Sequence, residues 1–204
     1  MIETILKQMP LVAILRGVRP DEVKAIGAAL YHNGIRCIEV PLNSPSPFDS
    51  IRILANSLPN DCLVGAGTVL SVQDVRKVKE AGGKLIVTPN TNPDVIKAAV
   101  TEKIIVMPGI ATPTDAFNAV EAGAEYLKLF PASSYGAEHL KAIMAVLPKN
   151  IKILAVGGVG AANILEWKTA GAVGFGIASE LYKAGDSAEI VAQKAAKICG
   201  AISL

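Results

Sequence analysis

The stretch LIVTPNTNPDVIKAAVTEKIIVMPGI, residues 85–110, contains one full unit of the architecture. Its first run, LIVTPN (85–90), has strand composition. Asn92 and Pro93 then offer a capping side chain and a proline suited to a first helical turn, where backbone amides have no partner within the helix. NPDVIKAAVTEK spaces its apolar residues at helical intervals, and IIVMPGI (104–110) returns to strand composition. Both runs are apolar almost throughout, without a polar face. Strands of that kind need cover on both sides, which parallel sheets obtain from the helices that connect them.

The unit recurs along the whole chain. Further strand-like runs are LVAILRG (11–17), CIEVPLN (37–43), CLVGAGTV (62–69), YLKLFPA (126–132), IKILAVGGV (151–159) and AVGFGIA (172–178), giving eight in all. Helical spacing fills the intervals, as in PDEVKAIGAALYHNG, SVQDVRKVKEAGG and GAEHLKAIMAVLP. Pro20-Asp21, Ser71 and Thr112-Pro113 mark helix starts, and glycines in HNG, EAGG, EAGA and TAGA mark the ends. Eight strand-helix units predict a closed (β/α)8 TIM barrel. The competing open, doubly wound sheet would more often carry a GxGxxG turn after its first strand. No linker interrupts the series, so a single domain over 1–204 is expected.

Composition narrows the function classes. Of 204 residues, 51% are hydrophobic and 19% charged, which excludes a disordered chain. Twenty basic and 18 acidic residues give a net charge of +2 with no basic run, so neither nucleic acid nor an anionic membrane is expected as a partner. Cys37, Cys62 and Cys199 are odd in number and widely spaced, which suits free thiols in a reducing compartment. MIETILKQMP lacks the basic segment and apolar core of a secretion signal, and no apolar run nears the ~20 residues that span a bilayer. A cytoplasmic location is expected.

In a barrel of this kind the active site lies at the C-terminal ends of the strands. Arg36, Lys84, Glu125 and Lys152 fall at strand beginnings, where they reach solvent at the lower rim. Arg16, Glu39 and Lys128 fall in the second halves of the first, second and sixth strands, and alternation lets each point inward. A buried Glu39–Lys128 ion pair would be a purely structural reading of two of them. Three convergent charges also suit catalysis. A lysine among apolar groups, near another cation, loses basicity and presents the free amine that attacks a ketone. A carboxylate beside it moves protons, and an arginine offers a planar fork to a carboxylate or phosphate.

Other chemistries have less to stand on. His32 and His139 lie on predicted helices, and no His/Asp/Glu cluster has metal-ligand spacing, so no metal and no cofactor are expected. Ser133 and Ser134 have no histidine at a strand end to activate them, and no GxSxG turn is present. An anion site is expected instead at VGGVGAAN (156–163) and GIASE (176–180), each read as ending a strand and opening a helix. Glycines there let backbone amides approach a phosphate, in the loops where many barrels hold one. In GAGT (65–68), Thr68 places a hydroxyl at the mouth, within reach of a substrate carboxylate.

The series ILRG (14–17), IEVPLNSP (38–45), GAGTVL (65–70), LIVTPN (85–90), MPGIAT (107–112), LKLFPAS (127–133) and AVGGV (155–159) resembles the class I aldolases that cleave 2-keto-3-deoxy-6-phospho sugar acids. The resemblance covers nearly the whole chain, in order. It implies a (β/α)8 barrel assembled as a homotrimer, acting without a metal on a phosphorylated keto sugar acid and releasing pyruvate. It further implies that Lys128 forms a Schiff base and Glu39 is the acid/base. Arg16 and Thr68 match positions at the carboxylate end, Pro89 and Phe130 match substrate contacts, and Gly157, Gly158, Ala178 and Ser179 match the phosphate pocket. Members acting on the gluconate epimer often carry arginine where Asn43 stands and threonine where Val156 stands. Those two positions therefore favour the galactonate epimer, with gluconate or dual use as the alternative. A sugar-phosphate epimerase or isomerase, and a non-catalytic barrel binding a keto acid phosphate, are the readings from other classes.

Overall fold

The computed structural model describes residues 1–202. Ser203 and Leu204, the last two positions of the domain expected over 1–204, lie outside the described residues. The apolar runs form strand segments β1 (Leu11–Ile14), β2 (Cys37–Pro41), β3 (Leu63–Gly67), β4 (Leu85–Val87), β5 (Ile105–Met107), β6 (Gly109–Ile110), β7 (Tyr126–Leu129), β8 (Lys152–Val156) and β9 (Gly174–Ile177). All neighbouring segments pair in parallel, in the order β5-β4-β3-β2-β1-β9-β8-β7-β6.

The two ends of that order are consecutive in sequence. Pro108 alone separates β5, which pairs with β4, from β6, which pairs with β7. Proline has no amide hydrogen and so interrupts the ladder, yet its carbonyl accepts from the Lys128 amide at 2.8 Å. The expected strand 104–110 is thus one strand broken at Pro108, and it closes an eight-membered barrel.

Helices α2 (Pro20–His32), α3 (Pro47–Ser57), α4 (Val72–Glu80), α5 (Pro93–Thr101), α6 (Pro113–Glu121), α7 (Ala132–Tyr135), α8 (Ala137–Val146), α9 (Ile164–Thr169) and α10 (Ala188–Ile202) follow the strands. Their starts have the anticipated chemistry. Ser71 Oγ accepts from the Asp74 amide, Asn92 Oδ1 accepts from the Asp94 amide, and Thr112 and Asp115 cap each other reciprocally. Pro20, Pro47, Pro93 and Pro113 occupy first turns.

Two sets of buried side chains divide between the faces of the sheet. Ile38, Val40, Leu127 and Leu129 belong to the larger core shared with the helices. Their alternates in sequence, Cys37 and Tyr126, pack inside the barrel with Val12, Leu63, Leu85, Met107 and Leu154. Helix α1 (Ile2–Gln8) contributes Ile2, Ile5 and Leu6 to that inner set and covers the N-terminal end. One end of the barrel is therefore filled with hydrocarbon, which leaves the opposite end for polar chemistry.

Two expectations need correction. GIASE does not open a helix: residues 179–187 form turns and the next helix, α10, begins only at Ala188. Arg16 does not lie within a strand either. β1 ends at Ile14, so Arg16 stands two residues beyond it and is exposed at the mouth.

Candidate active site

Glu39 is the third residue of β2 and Lys128 the third of β7, each on the inward side that sequence alternation assigned. They are buried, with 2% and 7% of their surfaces exposed. Two buried charges at this depth raise the question of whether they neutralise each other. Among the described residues no ion pair joins them, and Oε2 of Glu39 has no hydrogen-bond partner. A gap of about 10 Å³ bordered by Ile14, Glu39, Met107, Lys128 and Val156 lies between the two groups. The pair is therefore held apart around a small space.

Electrostatics follow from this burial. Loss of solvent pushes the Glu39 carboxyl up to about 7, against the opposing pull of Lys128, Arg16 and the Gly67 amide. Loss of solvent likewise pushes Lys128 down to about 8, with Glu39 resisting and Arg16 assisting. Near neutral pH the site thus holds a carboxyl that readily exchanges its proton and an ammonium that readily gives one up. The Lys128 Nζ also sits 4.4 Å from the centre of the Phe130 ring, whose face supports the protonated form.

The remaining residues frame the mouth around this pair. Arg16 Nη1 donates to Asn43 Oδ1 at 2.7 Å, so two side chains singled out separately in the sequence form one unit. Thr68 follows β3 with φ of 56°, a left-handed conformation that is costly for a β-branched residue. Val156 ends β8 and borders the gap between Glu39 and Lys128. Pro89 lies in the loop beyond β4, half-buried, and does not border that gap.

The glycine turns converge on a second space. Gly157, Gly158, Gly160, Ala178, Ser179 and Glu180 line a concavity of about 240 Å³. Gly157 and Gly158 have φ of 95° and 73°, a left-handed path that other residues rarely follow. Among the described residues the amides of Gly158, Val159 and Ser179 donate to no group in the chain, which leaves them free for an oxyanion. A Cβ on Gly157 would lie 3.3 Å from the Phe130 ring, so this concavity adjoins the wall of the lysine site. The geometry suits one elongated molecule with an anionic group at its far end and a reacting carbon near Lys128.

Sequence reasoning missed three participants. Gly67 presses against the Glu39 carboxylate, Ser133 packs its side chain against Gly158, and Glu180 reaches into the anion concavity. The glycine in GAGT offered a hint of the first. Glu180 closes the GIASE stretch, but nothing there marked its carboxylate as facing the anion site.

A sequence model of the KDPG and KHG aldolases matches residues 2–198. The chain belongs to the KDPG and KHG aldolase family. Within the family it is 47% identical to the 2-dehydro-3-deoxy-6-phosphogalactonate aldolase of Escherichia coli K12, over 93% of this chain and 92% of that one. It is 30% identical to the KHG/KDPG aldolase of the same organism, over 81% and 77%. A solved structure described as native KDPGal superposes with a TM-score of 0.94 at 45% identity, covering 96% of this chain and 95% of the other. Among the described residues no helix of this aldolase is long and apolar enough to cross a membrane.

Proposed function

We propose that the chain is a class I aldolase that cleaves 2-dehydro-3-deoxy-6-phospho-D-galactonate to pyruvate and D-glyceraldehyde 3-phosphate. The observation that carries the reading is the pair of buried, separated groups, Lys128 and Glu39, facing one gap at the open end of the barrel. The unprotonated Lys128 amine adds to the C2 ketone, and loss of water, with a proton given by the Glu39 carboxyl, leaves an iminium and an ionised Glu39. Glu39 takes the proton from the C4 hydroxyl. The electrons of the C3–C4 bond flow to the iminium, giving an enamine and releasing the triose phosphate as an aldehyde. Protonation of the enamine at C3, with Glu39 returning its proton, and hydrolysis then free pyruvate and the lysine.

Positioning falls to the rim. Arg16 and Thr68 take the carboxylate, with Pro89 and Phe130 beside the chain, and the amides around Gly157, Gly158, Ala178 and Ser179 take the phosphate. Fixing both ends brings C4 to Glu39, an ordering effect of several kcal/mol in general. Val156 borders the gap in which C4 must lie, and Asn43 is engaged with Arg16. These two contacts, with the higher identity to the phosphogalactonate relative, support the galactonate epimer. We further propose one domain, a homotrimeric assembly and a reducing, cytoplasmic setting; the buried, unbridged thiols of Cys37 and Cys62 support the last.

The test is steady-state pyruvate release from the galactonate and gluconate epimers side by side. The reading expects a higher kcat/KM for the galactonate compound. Equal values would remove the substrate assignment, and absence of turnover with both would remove the aldolase reading.

A further inference from the structure

Glu180 stands where a binding site for an anion has no evident use for a carboxylate. Its Oε2 accepts from the Ala161 amide at 3.0 Å and so connects the turn after β9 to the turn after β8. The same oxygen rests directly over Gly160, where an added Cβ would lie 2.0 Å from it. Among the described residues no ion pair neutralises this carboxylate. No lysine or arginine lines the concavity either.

These facts fit an occupant that imitates the ligand. The carboxylate accepts from the Ala161 amide beside a concavity that Glu180 itself lines, while the lining amides of Gly158, Val159 and Ser179 stay free. A phosphate held by those neighbours would meet a like charge within the same 240 Å³ space. Either the carboxylate swings out and yields the Ala161 amide, or it stays and repels. Both routes weaken phosphate binding below what the amides alone would give.

We infer that Glu180 is a built-in competitor that lowers affinity at the phosphate end of the site and thereby hastens release of the triose phosphate. This rests on the proposed phosphate site. A mere clamp between the two turns would use the same hydrogen bond, so the variants must separate charge from bonding. Glu180→Gln keeps the shape and an acceptor for the Ala161 amide but removes the charge, whereas Glu180→Ala removes both. The side chain is exposed, so neither change disturbs the core.

The readouts are KM for the phosphorylated substrate, KM for its dephosphorylated counterpart, and inhibition by inorganic phosphate. In both variants the ratio of dephosphorylated to phosphorylated KM is expected to rise, and the phosphate inhibition constant to fall, by roughly 3- to 10-fold, as for removal of a solvent-screened like charge. An unchanged ratio in Glu180→Gln with a raised phosphorylated KM in Glu180→Ala overturns the inference in favour of a clamp. A parent enzyme that does not distinguish the two substrates overturns the phosphate site itself, and this inference with it.

Discussion

Gly67 lies directly against the carboxylate of Glu39. A Cβ added to Gly67 would stand 2.0 Å from Oε2 and 2.5 Å from Oε1, distances no side chain tolerates. Gly67→Ala must therefore displace the carboxylate or the strand. The expected outcome is a loss of kcat of at least about tenfold, because misplacing a proton-transfer group removes most of its contribution. Near-UV circular dichroism of the variant checks that the barrel is retained.

The pH dependence of stability follows from the Glu39 shift. Its folded-state value, about 7, exceeds the ordinary carboxyl value of 4.5, so its contribution is fully present below 4.5 and is lost as pH rises through 7. Glu39→Gln removes that loss. Relative to the parent, the variant is expected to gain on the order of 1–3 kcal/mol between pH 4.5 and 7.5. Urea unfolding at the two pH values measures it, and a variant that loses ground as pH rises would contradict the assignment. The same exchange of stability for reactivity explains why a charge is kept at this depth.

Asn43 holds Arg16 by a single side-chain hydrogen bond. Asn43→Ala frees an exposed arginine to sample other rotamers. KM for the keto acid is expected to rise about 3- to 10-fold with a smaller change in kcat, the size of one net hydrogen bond. An unaltered KM would mean that Arg16 does not depend on this partner.

Thr68 sits in strained backbone at the mouth. Thr68→Gly relieves the strain and deletes the hydroxyl, so stability should rise by about 1 kcal/mol while KM also rises. Thermal unfolding and steady-state kinetics on one preparation give both numbers. A less stable variant would show that surrounding contacts, and not function, hold this conformation.

Much of the fold is legible in the sequence because a strand buried on both faces has to be apolar throughout. Glu39 and Lys128 stand out against that rule, and the alternation of β2 and β7 directs them inward. The helix caps at Ser71, Asn92 and Thr112 are equally local and equally readable. Closure at Pro108 is not, since it depends on two segments choosing different neighbours. The lower plug has a weak signal in the spacing of Ile2, Ile5 and Leu6, but that spacing does not say which end of a barrel it covers. The apolar run from Leu11 to Leu15 extends the expected strand as far as Arg16, whereas strand β1 ends at Ile14. Glu180 is invisible in sequence because its contact with Ala161 links separate turns.

The central claim is that Lys128 is the nucleophile. Incubation with pyruvate and borohydride, followed by peptide mass mapping, tests it most directly. The account predicts a reduced pyruvate adduct on Lys128 and its disappearance in Lys128→Met. An adduct on another lysine, or none while pyruvate release continues, would contradict it.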